Sequence, residues 1–211
     1  MQDIKFTSAS FLTGAASIQF TGDCNLLLEN VEFDNVFHSR SDGQNMFVFS
    51  GHIFNATNLK LTKIMANGDV LTTPAIALTV STELILQTVT VDTTGHFTLF
   101  KVLANTDATL SSWNVTGLKG PMFDIEATVN PNALAVHFDN LNVINSNLTD
   151  AVVIVKDLSA NLTNFVFDGV MAGTYIRGDN VNTSSYVAVG DGNFKNAECT
   201  LACIEVTTPT L

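Results

Sequence analysis

One short pattern recurs eight times along the chain: an apolar residue, any residue, a polar one, then apolar-x-apolar. Clear copies are Leu28-Glu29-Asn30-Val31-Glu32-Phe33, Leu86-Gln87-Thr88-Val89-Thr90-Val91 and Leu110-Ser111-Ser112-Trp113-Asn114-Val115. Two more are Phe138-Asp139-Asn140-Leu141-Asn142-Val143 and Leu162-Thr163-Asn164-Phe165-Val166-Phe167. Weaker copies begin at Phe6, Leu61 and Val189, so successive starts lie 22, 33, 25, 24, 28, 24 and 27 residues apart. Alternation inside each copy, with Val31 and Phe33 on one side and Glu32 on the other, has the period of a strand. A second apolar run accompanies each copy, ending at Phe20, Phe49, Leu78, Leu99, Ile125, Ile154, Ile176 and Ile204. A unit this small cannot enclose a core alone, whereas a stack of such units can. The expected fold is all-β: one solenoid domain over residues 1–211, with about eight three-stranded coils.

A β-sandwich also has many short strands with frequent turns. It would not require the same unit eight times, and no Asn-Gly hairpin joins two runs here, since Asn67-Gly68 falls in a long loop. On its repeat, which covers almost the whole chain, the sequence resembles the right-handed parallel β-helices of the pectin-lyase-like superfamily. The resemblance implies a first strand such as Phe47-Val48-Phe49, a second such as Leu26-Leu27-Leu28 and a third such as Val31-Glu32-Phe33. It also implies a left-handed bend between second and third strands, where Asn, which tolerates that conformation, stacks as a ladder. The expected bends are Ser8, Asn30, Lys63, Thr88, Ser112, Asn140, Asn164 and Asp191. The expected interior row is Phe33, Val91, Val115, Val143, Phe167 and Phe194.

Composition narrows the function. Twenty acids against 9 bases give a net charge of −11, which repels nucleic-acid backbones. No apolar run is long enough to span a bilayer as a helix, and no basic amphipathic segment points to a membrane surface. The first residues do not form a signal peptide, and neither end has a capping helix pattern. The expectation is a segment of a longer chain, or a subunit whose ends meet neighbours, placed outside the cell or at its surface.

Candidate sites are few. Asn-x-Ser/Thr occurs at Asn55, Asn114, Asn147, Asn161 and Asn182, all candidate glycosylation sites. Asn161 is expected to point out from a second strand and Asn114 from a third; Asn55, Asn147 and Asn182 are expected in loops. Cys199 and Cys203 are close enough in sequence to form a local disulfide, which leaves Cys24 as a free thiol or an intermolecular one. Trp113 is expected in the core. The longest loop, residues 34–46, holds His38, Arg40, Asp42 and Gln44 and is expected to be solvated. The expected outward first-strand residues are Gln19, Val48, Ala77, Thr98, Asp124, Val153, Tyr175 and Cys203. That row offers one acid and no carboxylate pair for cleaving a polysaccharide. Its apolar members Val48, Ala77, Val153 and Tyr175 are instead expected to form a lateral interface. No catalytic residue, metal site or cofactor is assigned. The expected function is an extracellular structural or adhesive β-solenoid glycoprotein that self-assembles into filaments or a surface layer. This is also what the likeness to passenger domains of bacterial adhesins and to polymorphic outer-membrane proteins implies. Expected partners are further copies and glycans. The alternative is a β-helix that binds or cleaves polysaccharide.

Overall fold

Eight left-handed corners set every register in the molecule. The structure, a computed structural model, describes residues 1–7, 10–12, 17–39, 44–65, 73–93, 95–128, 134–179 and 186–207. In it Asp3, Asn30, Asn58, Thr88, Ser112, Asn140, Asn164 and Asp191 all have φ between 47° and 59°. Strand pairing places each directly over the one before. Six full turns carry the chain from Asn30 to Asp191, and incomplete coils at either end account for the larger number of sequence copies. Six of the eight corners are Asn or Asp, whose short polar side chains carry positive φ at the least cost. At the start of the ladder the side chains bond to one another: Asn58 Nδ2 donates to Asn30 Oδ1 at 2.7 Å, and Asn30 Nδ2 to Asp3 Oδ1 at 2.8 Å, whereas Asn164 Nδ2 donates to Asp139 Oδ1 at 2.8 Å.

Two expected corners change. Ser8 lies outside the described residues, and Asp3 holds the first position. Lys63 is left-handed (φ 52°), but it belongs to a second corner after the third strand, with Asn35, Gly117, Asn145, Gly169 and Asn196. At Gly117 the backbone packs so closely on the Thr93 carbonyl that a Cβ would overlap its oxygen.

Between corners the chain runs as strands, and every pairing among the described residues is parallel. The fold is a parallel β-solenoid. Its longest strands, Phe47–Ile64 and Ile76–Thr93, each pass through all three walls in the expected order. Alternation explains why: Phe47, Phe49, Phe54, Ala56, Leu59 and Leu61 are buried, while the residues between them are not.

The inner third-wall row reads Phe6, Phe33, Leu61, Val91, Val115, Val143, Phe167 and Phe194, so the expected row is present. Only its two ends are not buried. Behind it Phe100 stacks on Phe123 (5.0 Å, 14°) and Trp113 meets both edge-on. Trp113 is core, as expected, with its indole N–H donating to the Leu86 carbonyl at 3.3 Å. Each fully buried Phe contributes about 1.5–3 kcal/mol relative to exposure.

Tyr175 and Val153, expected on the outside, are 2% and 1% exposed and line the core. The Tyr175 ring packs on Phe167 and Phe194, and its hydroxyl donates to the Val170 carbonyl at 3.2 Å. Burial pushes the phenol above its ordinary value of 10.0, and the Glu198 charge adds to that. His38 is likewise buried, not solvated: Nε2 lies 3.3 Å from the Thr73 carbonyl and the ring meets Phe97 edge-on. Arg40 and Asp42 lie outside the described residues, and Gln44 is exposed.

Candidate functional site

The first wall carries the site. Its true outward row follows from the pairing: Gln19, Val48, Ala77, Lys101, Asp124, Ile154, Arg177 and Glu205. A second outward row, two residues further along each strand, runs Thr21, Ser50, Thr79, Leu103, Glu126, Lys156 and Asp179. Four of the expected outward residues (Thr98, Val153, Tyr175 and Cys203) are therefore out of this row. The expected apolar strip shrinks to Val48 and Ala77, both half-buried. In its place the later coils present alternating charge.

These charges interlock across coils. Lys101 Nζ lies 2.9 Å from Asp124 Oδ2 and 3.4 Å from Glu126 Oε2. Lys156 Nζ reaches Asp124 Oδ1 from the other side at 3.2 Å. One coil on, Arg177 Nη1 lies 2.5 Å from Asp150 Oδ1 and Nε 3.3 Å from Asp179 Oδ2. At the last described rung, Thr174 Oγ1 donates to Glu205 Oε2 at 3.4 Å. Lys101 and Asp124 are held in place because the residues flanking them, Phe100 and Val102 and Phe123 and Ile125, are anchored in the core.

Beside this row, where the chain turns from third wall to first, lies an open cavity of about 330 Å³. Its polar lining includes Lys119, Asp124, Asp150, Lys156 and Arg177, and its apolar lining Phe97, Pro121 and Ile154. Ile154 is 3% exposed although it sits in the outward row, between Asp124 and Arg177. It stands apart from the core cluster and floors the cavity. Gly120 lets the rim turn lie against the backbone of Phe97, where a Cβ would overlap the carbonyl oxygen. Gly173 does the same over the Thr149 carbonyl.

The other candidate residues are spread over the surface. Asn55 and Asn161 share the outward row of the second wall, and Asn55 lies within a strand, not a loop. Asn114 is exposed on the third wall, its Oδ1 accepting from Asn142 Nδ2 at 3.2 Å. Asn147 ends the strand Ala135–Asn147, is exposed, and lines a second hollow beside the cavity with His96, Lys119 and Thr149. Asn182 lies outside the described residues. Cys199 and Cys203 are joined by a disulfide, with α-carbons 5.3 Å apart. Cys24 is a free thiol, half-buried, 3.8 Å from the Ser50 carbonyl. Of the histidines, His52 bonds Ser81 (2.8 Å), His96 borders the cavity and His137 is exposed on the second wall.

Lys101, Lys156, Arg177, Asp150 and Asp179 were not singled out from sequence. The usable signal was a charge held between two core residues, as in Phe100-Lys101-Val102, Phe123-Asp124-Ile125 and Ile176-Arg177-Gly178. No protein-family model, curated protein or solved structure matches the chain.

Proposed function

We propose that this chain is an adhesive β-solenoid of the extracellular surface, a rigid rod that offers its first wall to a ligand and cleaves nothing there. The observation that carries the reading is the pairing on that wall. Asp124, Glu126, Asp150 and Asp179 each have a cation within 3.4 Å. Hydrolysis of a glycosidic bond needs one carboxyl that keeps its proton beside a second that is ionised. Apart from Glu205, whose partner is the Thr174 hydroxyl, the acids of this wall are matched by cations, which suits recognition through donors and acceptors fixed in register. The Cys199–Cys203 disulfide favours an oxidising compartment. Asn55, Asn114 and Asn161 lie on the outer faces of the second and third walls, which supports N-glycans there and a bare first wall. The test is binding of the secreted chain to a printed glycan array, with reducing-end release from the bound glycans followed in parallel. Binding without release is expected, and turnover would overturn the reading.

Self-association is a second reading, supported by a separate observation. In the last described coil Phe194, Leu201, Ile204 and Val206 are 48%, 76%, 43% and 47% exposed. A parallel edge with that much apolar surface favours a further coil, which a second copy can supply end to end. Leu201→Lys with Ile204→Lys is expected to lower the mass seen by light scattering. A wild-type chain that is monomeric at every concentration excludes it.

A further inference from the structure

We propose that the first-wall cavity binds a neutral saccharide unit, and not an acidic or sulfated one; this rests on the adhesive reading above. The argument starts from how the scarce bases are spent. The chain has 9 Lys and Arg against 20 Asp and Glu. Four of the nine, Lys101, Lys119, Lys156 and Arg177, gather at or beside this cavity. Three of them, Lys101, Lys156 and Arg177, are ion-paired with four acids, Asp124, Glu126, Asp150 and Asp179, so with Lys119 included the sum over this set is +4 − 4 = 0 while the chain as a whole carries −11. Anywhere but at Lys119, an entering anion would have to take a cation from its carboxylate, and everywhere it would meet the field of an acidic molecule. Of these four bases only Lys119, exposed at the rim, makes no ion pair among the described residues.

A sugar hydroxyl both donates and accepts, and brings no charge. Arg177 uses Nε and Nη1 on its two carboxylates, leaving further N–H groups of its five. Lys156 spends its contacts on Asp124 alone among the described residues and keeps N–H capacity toward the cavity. Asp150 uses Oδ1 for its contacts, and its Oδ2 makes none among the described residues, 47% of the side chain being exposed at the cavity. Between these donors and acceptors lies the apolar floor of Ile154 with Pro121 beside it. A pyranose ring has the same two-sided character, with a C–H face and an equatorial belt of hydroxyls. The volume of about 330 Å³ admits one or two such rings.

The experiment is titration calorimetry of the full chain with neutral trisaccharides taken from the array, and with trigalacturonate and a sulfated trisaccharide, in about 50 and about 500 mM sodium chloride. A neutral trisaccharide is expected to bind with an affinity that changes less than about twofold between the two salt concentrations. Arg177→Lys, which keeps the charge but loses the fork, is expected to weaken it at least about tenfold, and Lys119→Met less than about twofold. Melting curves confirm that both variants are folded. Binding confined to the charged trisaccharides, steeply salt-dependent and lost with Lys119→Met, overturns the neutral ligand but leaves the wall as an adhesive surface. Binding to no saccharide overturns both. Neutral binding that survives Arg177→Lys unchanged overturns the cavity as its place.

Discussion

Thr88 is the corner of this ladder least suited to left-handed backbone, being its one β-branched residue. It is exposed and held at φ 56°, with Asn58 on the coil before and Ser112 on the coil after. Left-handed backbone costs an ordinary L-residue about 1–2 kcal/mol, and Asn less. Thr88→Asn is therefore expected to stabilise the chain by about 1 kcal/mol and to raise its melting temperature by about 2–4 °C. A melting curve that does not move would show that the corner is relaxed by its neighbours. Corners of this kind were legible because short polar residues mark them, and Asn30, Asn140 and Asn164 stand out in the sequence. Asn58 was missed because Lys63, five residues on, completes a plausible copy of the pattern. Lys63 is also left-handed, in the other ladder, so the local chemistry was right and the corner was wrong.

At the level of elements, the third wall could be read and the first could not. Third-wall strands alternate cleanly, as in Val31-Glu32-Phe33, so their inner row followed from sequence. The first-wall strand Ala151–Lys156 reads Ala-Val-Val-Ile-Val-Lys, apolar at five successive positions, and alternation cannot choose its inward face. Ile154 is 3% exposed although it sits in the outward row, at the floor of the cavity, so an apolar residue at that position gave no cue to the inward face. The final strand, Glu198–Val206, adds a register shift: Ala172 pairs Cys199 but Thr174 pairs Ala202. The disulfide spans this bulge and fixes the extra residue. Closing so short a loop is worth about 2 kcal/mol, and the gain is local to one strand. Cys199→Ser with Cys203→Ser is expected to speed amide hydrogen exchange across residues 198–206 while leaving residues 84–167 protected. Faster exchange throughout would mean that the last strand supports the whole stack.

For the molecule as a whole, the Asn147 sequon and the proposed saccharide cavity meet at one point. Asn147 and the cavity share His96, Lys119 and Thr149 as neighbours, and Thr149 completes the Asn147 sequon. In protein secreted from a glycosylating host, Asn147→Gln is expected to raise saccharide binding, whereas Asn55→Gln and Asn161→Gln leave it unchanged. Equal effects from all three would separate the cavity from the binding site. The parallel register has a further consequence. Each corner rests on the one 24 to 30 residues earlier, as Ser112 rests on Thr88 and Thr88 on Asn58. No rung waits for a distant part of the chain, so loop closure stays short throughout. A chain delivered end first through a narrow pore can therefore wind up as it emerges, each arriving coil finding its template already in place.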